Sequence, residues 1–221
     1  MLFRSEVLVD VALGLLPEPV KPKVDTPDRR RVSPDAAGTA PSGELTERAA
    51  RVHDAFCGSG CVGISIAAER PDIQLELSDL SEHALAVAAI NAGALLPGCF
   101  VGFGCGTVLS SATGRFDIIT ANPPYVSSSF VDGMRLDCTM EPRLALDGGP
   151  DGLALYPEIV KQAWPLLVDG GSLVLEIGDE QAADVVAIMQ LGGFATVTVH
   201  HDLAGHDRVV SGVRHEIRRQ S

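Results

Sequence analysis

Apolar positions at Val7, Leu8, Ala12, Leu15 and Leu16 recur near a helical period, so the pattern from about Leu2 to Leu16 predicts a short amphipathic helix. From Pro17 to about Glu47 that periodicity disappears. Six prolines (Pro17, Pro19, Pro22, Pro27, Pro34 and Pro41) fall there among charges of both signs, which predicts a linker or mobile loop, with a lid over a ligand as the functional alternative. From Arg51 onward the pattern becomes regular. "RVHDAF", "IQLELSD", "FVGFGC" and "FDIITA" read as strands, and "VGISIAAE" and "SEHALAVAAINAGAL" read as helices. Farther on, a helical stretch around Ile159–Leu167 leads through "DGG" into the strand "SLVLEIG". A helix from about Glu180 to Leu191 and the candidate strands "ATVTVHH" and "DRVVSGV" follow.

Strands and helices alternating at this spacing predict an α/β fold, a mostly parallel sheet with helices on both faces and a ligand site at the carboxyl ends of the strands. The expected division is an N-terminal helix over residues 1–16, a proline-rich linker or lid over 17–50, and one domain over 51–221.

Composition narrows the function classes. At 221 residues and 46% hydrophobic, the chain can bury the core of one domain. No apolar run approaches the roughly 18 residues of a membrane span, and the N-terminus has no small-residue cleavage site, so a cytoplasmic protein without a membrane partner is expected. The five cysteines, Cys57, Cys61, Cys99, Cys105 and Cys138, form no C-x-x-C pair and are expected to be buried apolar thiols; no metal site is predicted. A formal charge of -12 repels a phosphate backbone, which disfavours nucleic acid as a partner.

"DAFCGSGCVG" follows the first predicted strand and opens the first helix of the regular region. Gly58 and Gly60 permit a sharp turn and close approach of a ligand to the backbone, and the helix N-terminus offers N–H groups. Asp79 ends the next strand, nineteen residues after Gly60, where a carboxylate can accept hydrogen bonds from ribose hydroxyls. The loop alone leaves three readings open: an NAD-linked oxidoreductase, a methyltransferase using S-adenosylmethionine, or a tight structural turn. Asp54, four residues before Gly58, favours the second. A carboxylate there suits the amino group of a methionine moiety and repels a pyrophosphate.

The strand "FDIITA" runs into "NPPYV". The side-chain oxygen of Asn122 and the carbonyl of Pro123 offer two acceptors for the N–H groups of a planar –NH2, with the backbone stiffened by Pro123 and Pro124. Tyr125 adds a flat face for an amide, guanidine or base. Such a site suits methylation of a planar nitrogen, and the structural alternative is a capped turn.

Read in order, "DAFCGSG", "LELSD" and "ANPPYV" resemble a class I S-adenosylmethionine-dependent methyltransferase, and "EPRLALDGGPDGL", "LVLEIG" and "DRVVSG" resemble the HemK/PrmC family of protein glutamine N5-methyltransferases. The resemblance covers about Arg51 to Val213. It implies a Rossmann-like seven-stranded sheet, S-adenosylmethionine as cofactor, and an N-P-P-Y loop that binds the side-chain amide of a glutamine in a translation release factor. The implied cofactor-lining residues are Asp54, Phe56, Gly58, Gly60, Asp79, Leu80, Gly106 and Asn122. For the acceptor they are Asn122, Pro123, Pro124, Tyr125 and Glu141, of which Asn122, Pro123 and Tyr125 are the catalytic candidates.

Three departures from the family pattern stand out. Phe56 occupies the usual first glycine of the loop, and Gly106 occupies the place of an acid near the adenine amino group. The roughly fifty residues before the first strand are not expected to form the separate helical domain with which such enzymes dock the release factor. A free amino-acid amide or guanidine therefore remains as an alternative acceptor, and an exocyclic base amine is disfavoured by charge. Glu141 is a candidate ion-pair partner of Arg143, Glu176 is a strand-end acid balanced between structure and function, Trp164 is expected in the core, and His200, His201 and His206 read as surface histidines.

Overall fold

The computed structural model describes residues 5–19, 48–134 and 142–216. Within them lie seven strands and six α-helices in the order α1 (Ser5–Leu15), β1 (Arg51–Ala55), α2 (Cys61–Glu69), β2 (Gln74–Asp79), α3 (Glu82–Leu95), β3 (Val101–Cys105), β4 (Phe116–Ala121), α4 (Ser128–Gly133), α5 (Tyr156–Leu166), β5 (Leu167–Glu176), α6 (Ala182–Leu191), β6 (Ala195–His201) and β7 (Asp207–Val213). The strands form one sheet in the order β3-β2-β1-β4-β5-β7-β6. β1 to β5 pair in parallel, and β7 runs antiparallel between β5 and β6.

Burial on both faces explains the apolar runs of β4 and β5, whereas β1 carries the buried polar residues His53 and Asp54. One core cluster joins Val52, Leu75, Leu77 and Ile118 to α2 through Ile64 and Ile66. The other joins Phe116, Ile119, Leu173 and Leu175 to α5 through Tyr156, Ile159 and Ala163. Gly63 sets how closely α2 lies on the sheet, because a Cβ there would stand 2.5 Å from Leu77 Cδ2 and 3.0 Å from Asp54 Cβ. α3 starts at Ser81, whose hydroxyl accepts from the Ala84 N–H.

Helix α1 is separated from the first strand in sequence but not in packing. Leu8 and Ala12 are fully buried in the same cluster as Val52, Ile64 and Ile66. The expectation of a mobile lid falls mainly on residues 20–47, which lie outside the described residues.

Two features differ from the pattern reading. β5 begins at Leu167, five residues before the apolar run, with a register shift opposite Phe116/Ile118. Its polar start is held by backbone and side-chain bonds together: Gly170 N–H donates to the Arg214 carbonyl, Arg214 N–H to that of Gly171, and Asp169 Oδ1 accepts from the Glu216 N–H at 2.9 Å. Helix α4, too short to show a period, is seated where the Ser128 N–H donates to the Gly149 carbonyl. The thiols also require correction: Cys57 is buried, but Cys61 and Cys105 are exposed and Cys99 is intermediate. Trp164 is partly buried, edge-on to Phe194 at 5.1 Å.

If α1 belongs to the core, Leu8→Ala will destabilise the protein by about 2–5 kcal/mol in urea unfolding, the cost of a large-to-small change at a fully buried site. A loss of a few tenths would make α1 a peripheral attachment.

Candidate active site

The carboxyl ends of β1, β2, β4 and β5 meet along one edge of the sheet, and their loops carry the candidate chemistry. β1 and β4 are in register from Val52↔Ile118 to Ala55↔Ala121, so the glycine loop and the N-P-P-Y loop leave the sheet side by side. Asp54, one residue before the strand end, is 1% exposed and lies under the glycine loop. One of its oxygens accepts from the Gly63 N–H at 3.0 Å and the other from the Thr120 hydroxyl at 2.8 Å. Burial pushes its pKa from the ordinary 3.8 up to about 7, against the lowering effect of those two donors. Asp54 therefore ties α2 to β1 and β4, and any cofactor group it meets shares oxygens that already hold the loop.

In the loop, Gly58 and Gly60 both have positive φ, 55° and 83°. A Cβ at Gly60 would meet Ile64 Cδ1 at 2.8 Å, whereas one at Gly58 would meet nothing within 4 Å, so Gly58 faces open space. Phe56, in place of the usual first glycine, keeps the left-handed conformation with φ 56°. That backbone costs a non-glycine residue about 1–2 kcal/mol, offset here by packing of the ring against the second core cluster.

Asp79, at the end of β2, crosses to this loop: one oxygen accepts from the Gly58 N–H and the other from the Ser81 N–H, each at 2.9 Å. Since a carboxylate has about four acceptor positions, both oxygens keep capacity for a ligand hydroxyl. Leu80 beside it is 51% exposed. Gly106, one residue past β3, donates its N–H to the Asp79 carbonyl at 3.1 Å, and a Cβ at Gly106 would stand 2.6 Å from Ser110 Oγ. Crowding by Ser110 leaves little room for the acid usual at this position.

Asn122 directly follows β4, with Pro123 buried and Asn122, Pro124 and Tyr125 partly buried. The loop is clamped from behind by the turn at residues 146–152. Val126 N–H donates to the Leu146 carbonyl and Gly148 N–H to that of Val126. The approach is so close that a Cβ at Gly148 would stand 2.6 Å from the Pro124 carbonyl oxygen, and one at Gly152 2.2 Å from that of Tyr125. Asp147 fixes this turn by accepting from Ser128 Oγ, the Gly149 N–H and Arg143. Gln181 completes the clamp, donating to the Tyr125 carbonyl at 3.0 Å while accepting from the Gly178 N–H at 2.9 Å. "LALDGGPDGL" thus braces the N-P-P-Y loop, a role its distance in sequence concealed.

Glu176, the last residue of β5, is 2% exposed and accepts from the Tyr125 hydroxyl at 3.2 Å and the Ser5 hydroxyl at 3.0 Å. Its backbone carbonyl is held by the buried Tyr156 hydroxyl at 3.0 Å. Asn122 Nδ2 lies 3.5 Å from Ser5 Oγ. Neither Ser5 nor Gln181 was recognisable as part of the site, since nothing in the α1 pattern or in the segment after β5 points to strand β4.

Glu141 lies outside the described residues. Arg143 pairs with Asp132 and Asp147. His200 reaches Ser211 Oγ at 2.8 Å, His201 pairs with Asp207, and with His206 they line a cleft of about 1150 Å³ between α1 and the β6–β7 hairpin. Among the described residues no cluster of three or more His, Cys, Asp or Glu is placed to hold a metal ion. No helix among them is long and apolar enough to cross a membrane.

The chain matches the family model described as "Methyltransferase small domain" over residues 38–136. It is 39% identical over 173 residues to the release factor glutamine methyltransferase of Caulobacter vibrioides, covering 74% of this chain and 57% of that protein. To the enzyme of the same name from Cereibacter sphaeroides it is 37% identical over 190 residues, covering 83% and 68%. The chain belongs to the release factor glutamine methyltransferase family. It spans a little over half to two thirds of the length of these relatives. Among solved structures it resembles a methyltransferase from Pyrococcus furiosus (TM-score 0.56, 15% identity, 76% of this chain and 77% of that one). It also resembles the ribosomal protein L11 methylase of Lactobacillus delbrueckii (TM-score 0.52, 16% identity, 78% and 73%). At such identities the likeness concerns the fold, which is the class I methyltransferase sheet.

S-Adenosylmethionine, the cofactor this family implies, fits the residues present at two points. The space open at Gly58 admits a ligand against the backbone, and the Asp79 carboxylate retains acceptor positions for ribose hydroxyls. At Gly106 the fit differs from the family pattern, and the adenine amino group has no acid there to meet.

Two outcomes follow from this site. Asp79→Asn will lower affinity for S-adenosylhomocysteine by at least about tenfold in calorimetry while the fold is retained, because charge-assisted hydrogen bonds to hydroxyls are weakened. Unchanged affinity would assign Asp79 to holding the loop alone. Asp54 is more protonated in the folded chain than in the unfolded one, so its contribution to stability is complete below about pH 3.8 and is lost as pH rises through about 7. Between pH 5 and 8 the wild type will lose on the order of 2–3 kcal/mol more stability than Asp54→Asn in denaturant titrations. Parallel pH profiles of the two proteins would contradict this.

Proposed function

We propose that the chain transfers a methyl group from S-adenosylmethionine to the side-chain amide nitrogen of a glutamine in a translation release factor. The observation that carries this reading is Asn122 at the tip of β4, on a loop braced on its far side by Gly148, Gly152 and Gln181, next to a glycine loop with open space at Gly58. Family membership favours this reading of the glycine loop over an NAD-linked oxidoreductase, and the activity for which the relatives are named supplies the acceptor.

When bound, the cofactor supplies an electrophilic methyl group on a sulfonium. The residues of the chain prepare the nitrogen that receives it. The Asn122 side-chain oxygen and the Pro123 carbonyl accept the two N–H groups of the amide, so that the nitrogen is held and its face is presented for attack. As the new N–C bond formed, the methyl–sulfur bond would break and a neutral thioether would leave; two fixed carbonyl dipoles stabilise the positive charge growing on the nitrogen without having to reorganise, and one of its N–H protons would pass to solvent to give the N-methyl amide. The rigid prolines and the clamp behind them keep those dipoles in place. Tyr125, tied through its hydroxyl to Glu176, provides the flat wall of the acceptor site.

Asn122→Ala will lower turnover by about 10²–10³, by comparison with loss of one preorganised oxyanion-hole donor. S-Adenosylhomocysteine affinity will stay within a few-fold. The measurement is mass-spectrometric detection of methylation on a purified release factor with labelled S-adenosylmethionine. Wild-type methylation by Asn122→Ala would reduce the N-P-P-Y loop to a turn, and transfer to arginine or an oligonucleotide but not to glutamine would replace the acceptor proposed.

A further inference from the structure

Helix α1 reaches the acceptor loop through one hydroxyl. Ser5, in its first turn, donates to Glu176 Oε2 at 3.0 Å and stands 3.5 Å from Asn122 Nδ2, linking positions 117 and 171 residues away. The direction of this chain of contacts follows from the inventory of donors. A carboxylate accepts only, so the single proton of the Ser5 hydroxyl is drawn to Glu176. What the hydroxyl can then offer Asn122 is a lone pair, which suits the –NH2 end of the amide and not its oxygen.

Glu176 is well placed to impose this polarity. It is 2% exposed, its main chain is pinned by Tyr156, and its other oxygen accepts from Tyr125, so the carboxylate cannot swing away. α1 is fixed in turn by Leu8 and Ala12, both fully buried.

We infer that Ser5 and Glu176 are positioning residues that set which way the Asn122 amide faces, turning its Nδ2 toward α1 and its oxygen toward the acceptor nitrogen. Without the hydroxyl, the two ends of the amide differ little in energy. The flipped form would present an –NH2 to the substrate –NH2, donor against donor. This inference rests on the proposed glutamine amide chemistry, and α1 contributes through Asn122 and not by touching substrate.

The test is a double-mutant cycle in the full chain, with release factor as acceptor. Ser5→Ala should lower kcat about tenfold, the order of one oriented hydrogen bond, with S-adenosylhomocysteine affinity unchanged. Ser5→Thr, which keeps the hydroxyl, should restore most of that loss. In the Asn122→Ala background, Ser5→Ala should have no further effect, because there is no amide left to orient. Additive losses, a wild-type kcat for Ser5→Ala, or equal defects in the alanine and threonine variants would overturn the inference. If the wild type fails to methylate glutamine at all, the functional reading falls and this inference falls with it, an outcome distinct from a wild type that methylates and a Ser5→Ala variant without a defect.

Discussion

Parallel pairing of β1 with β4 is the constraint from which the geometry of the site follows, because it decides what stands beside what at the carboxyl edge of the sheet. With Asp54 opposite Thr120 and Ala55 opposite Ala121, both strands end at the same level and their loops emerge together. A slip of one residue would exchange the faces of β4, moving Ile119 out of its cluster and Thr120 away from Asp54. The Thr120 hydroxyl, 2.8 Å from the buried carboxyl, therefore reports the register as well as satisfying it.

From that edge the site is stabilised in two directions by contacts remote in sequence. On the side of the glycine loop, Asp79 bridges the end of β2 to the Gly58 N–H, so the carboxylate proposed to meet ribose also shapes the loop beside it. On the acceptor side, the 146–152 turn, Gln181 and Glu176 hold the N-P-P-Y loop from three elements. Both arrangements use partly or fully buried polar groups for rigidity. The proposed work of the site, to fix one nitrogen against one methyl group, gains most from such preorganisation.

Phe56 and Gly106 show how the fold absorbs departures from the family pattern. The backbone at Phe56 keeps the left-handed turn that a glycine would adopt freely, and the ring is placed among apolar neighbours of the second cluster. At Gly106 the space has closed over with serines, one of which, Ser111, has a buried hydroxyl without a partner among the described residues.

The sequence by itself determined the order of strands and helices, the placement of Gly58, Asp79 and Asn122 at strand ends, and the family, because period, glycine spacing and the N-P-P-Y run are local signals. Strands and helices alternating at short spacing made the mostly parallel sheet legible. Only the tertiary structure decided that α1 lies in the core and meets Asn122, that "LDGGPDGL" is a buttress, that β5 starts early, and that two cysteines face solvent. Each of these depends on partners far apart along the chain, such as Ser5 with Glu176, Gly152 with Tyr125 and Gly170 with Arg214. No periodicity records such a pairing, since what fixes it is the close approach of surfaces that exists only once the sheet has assembled.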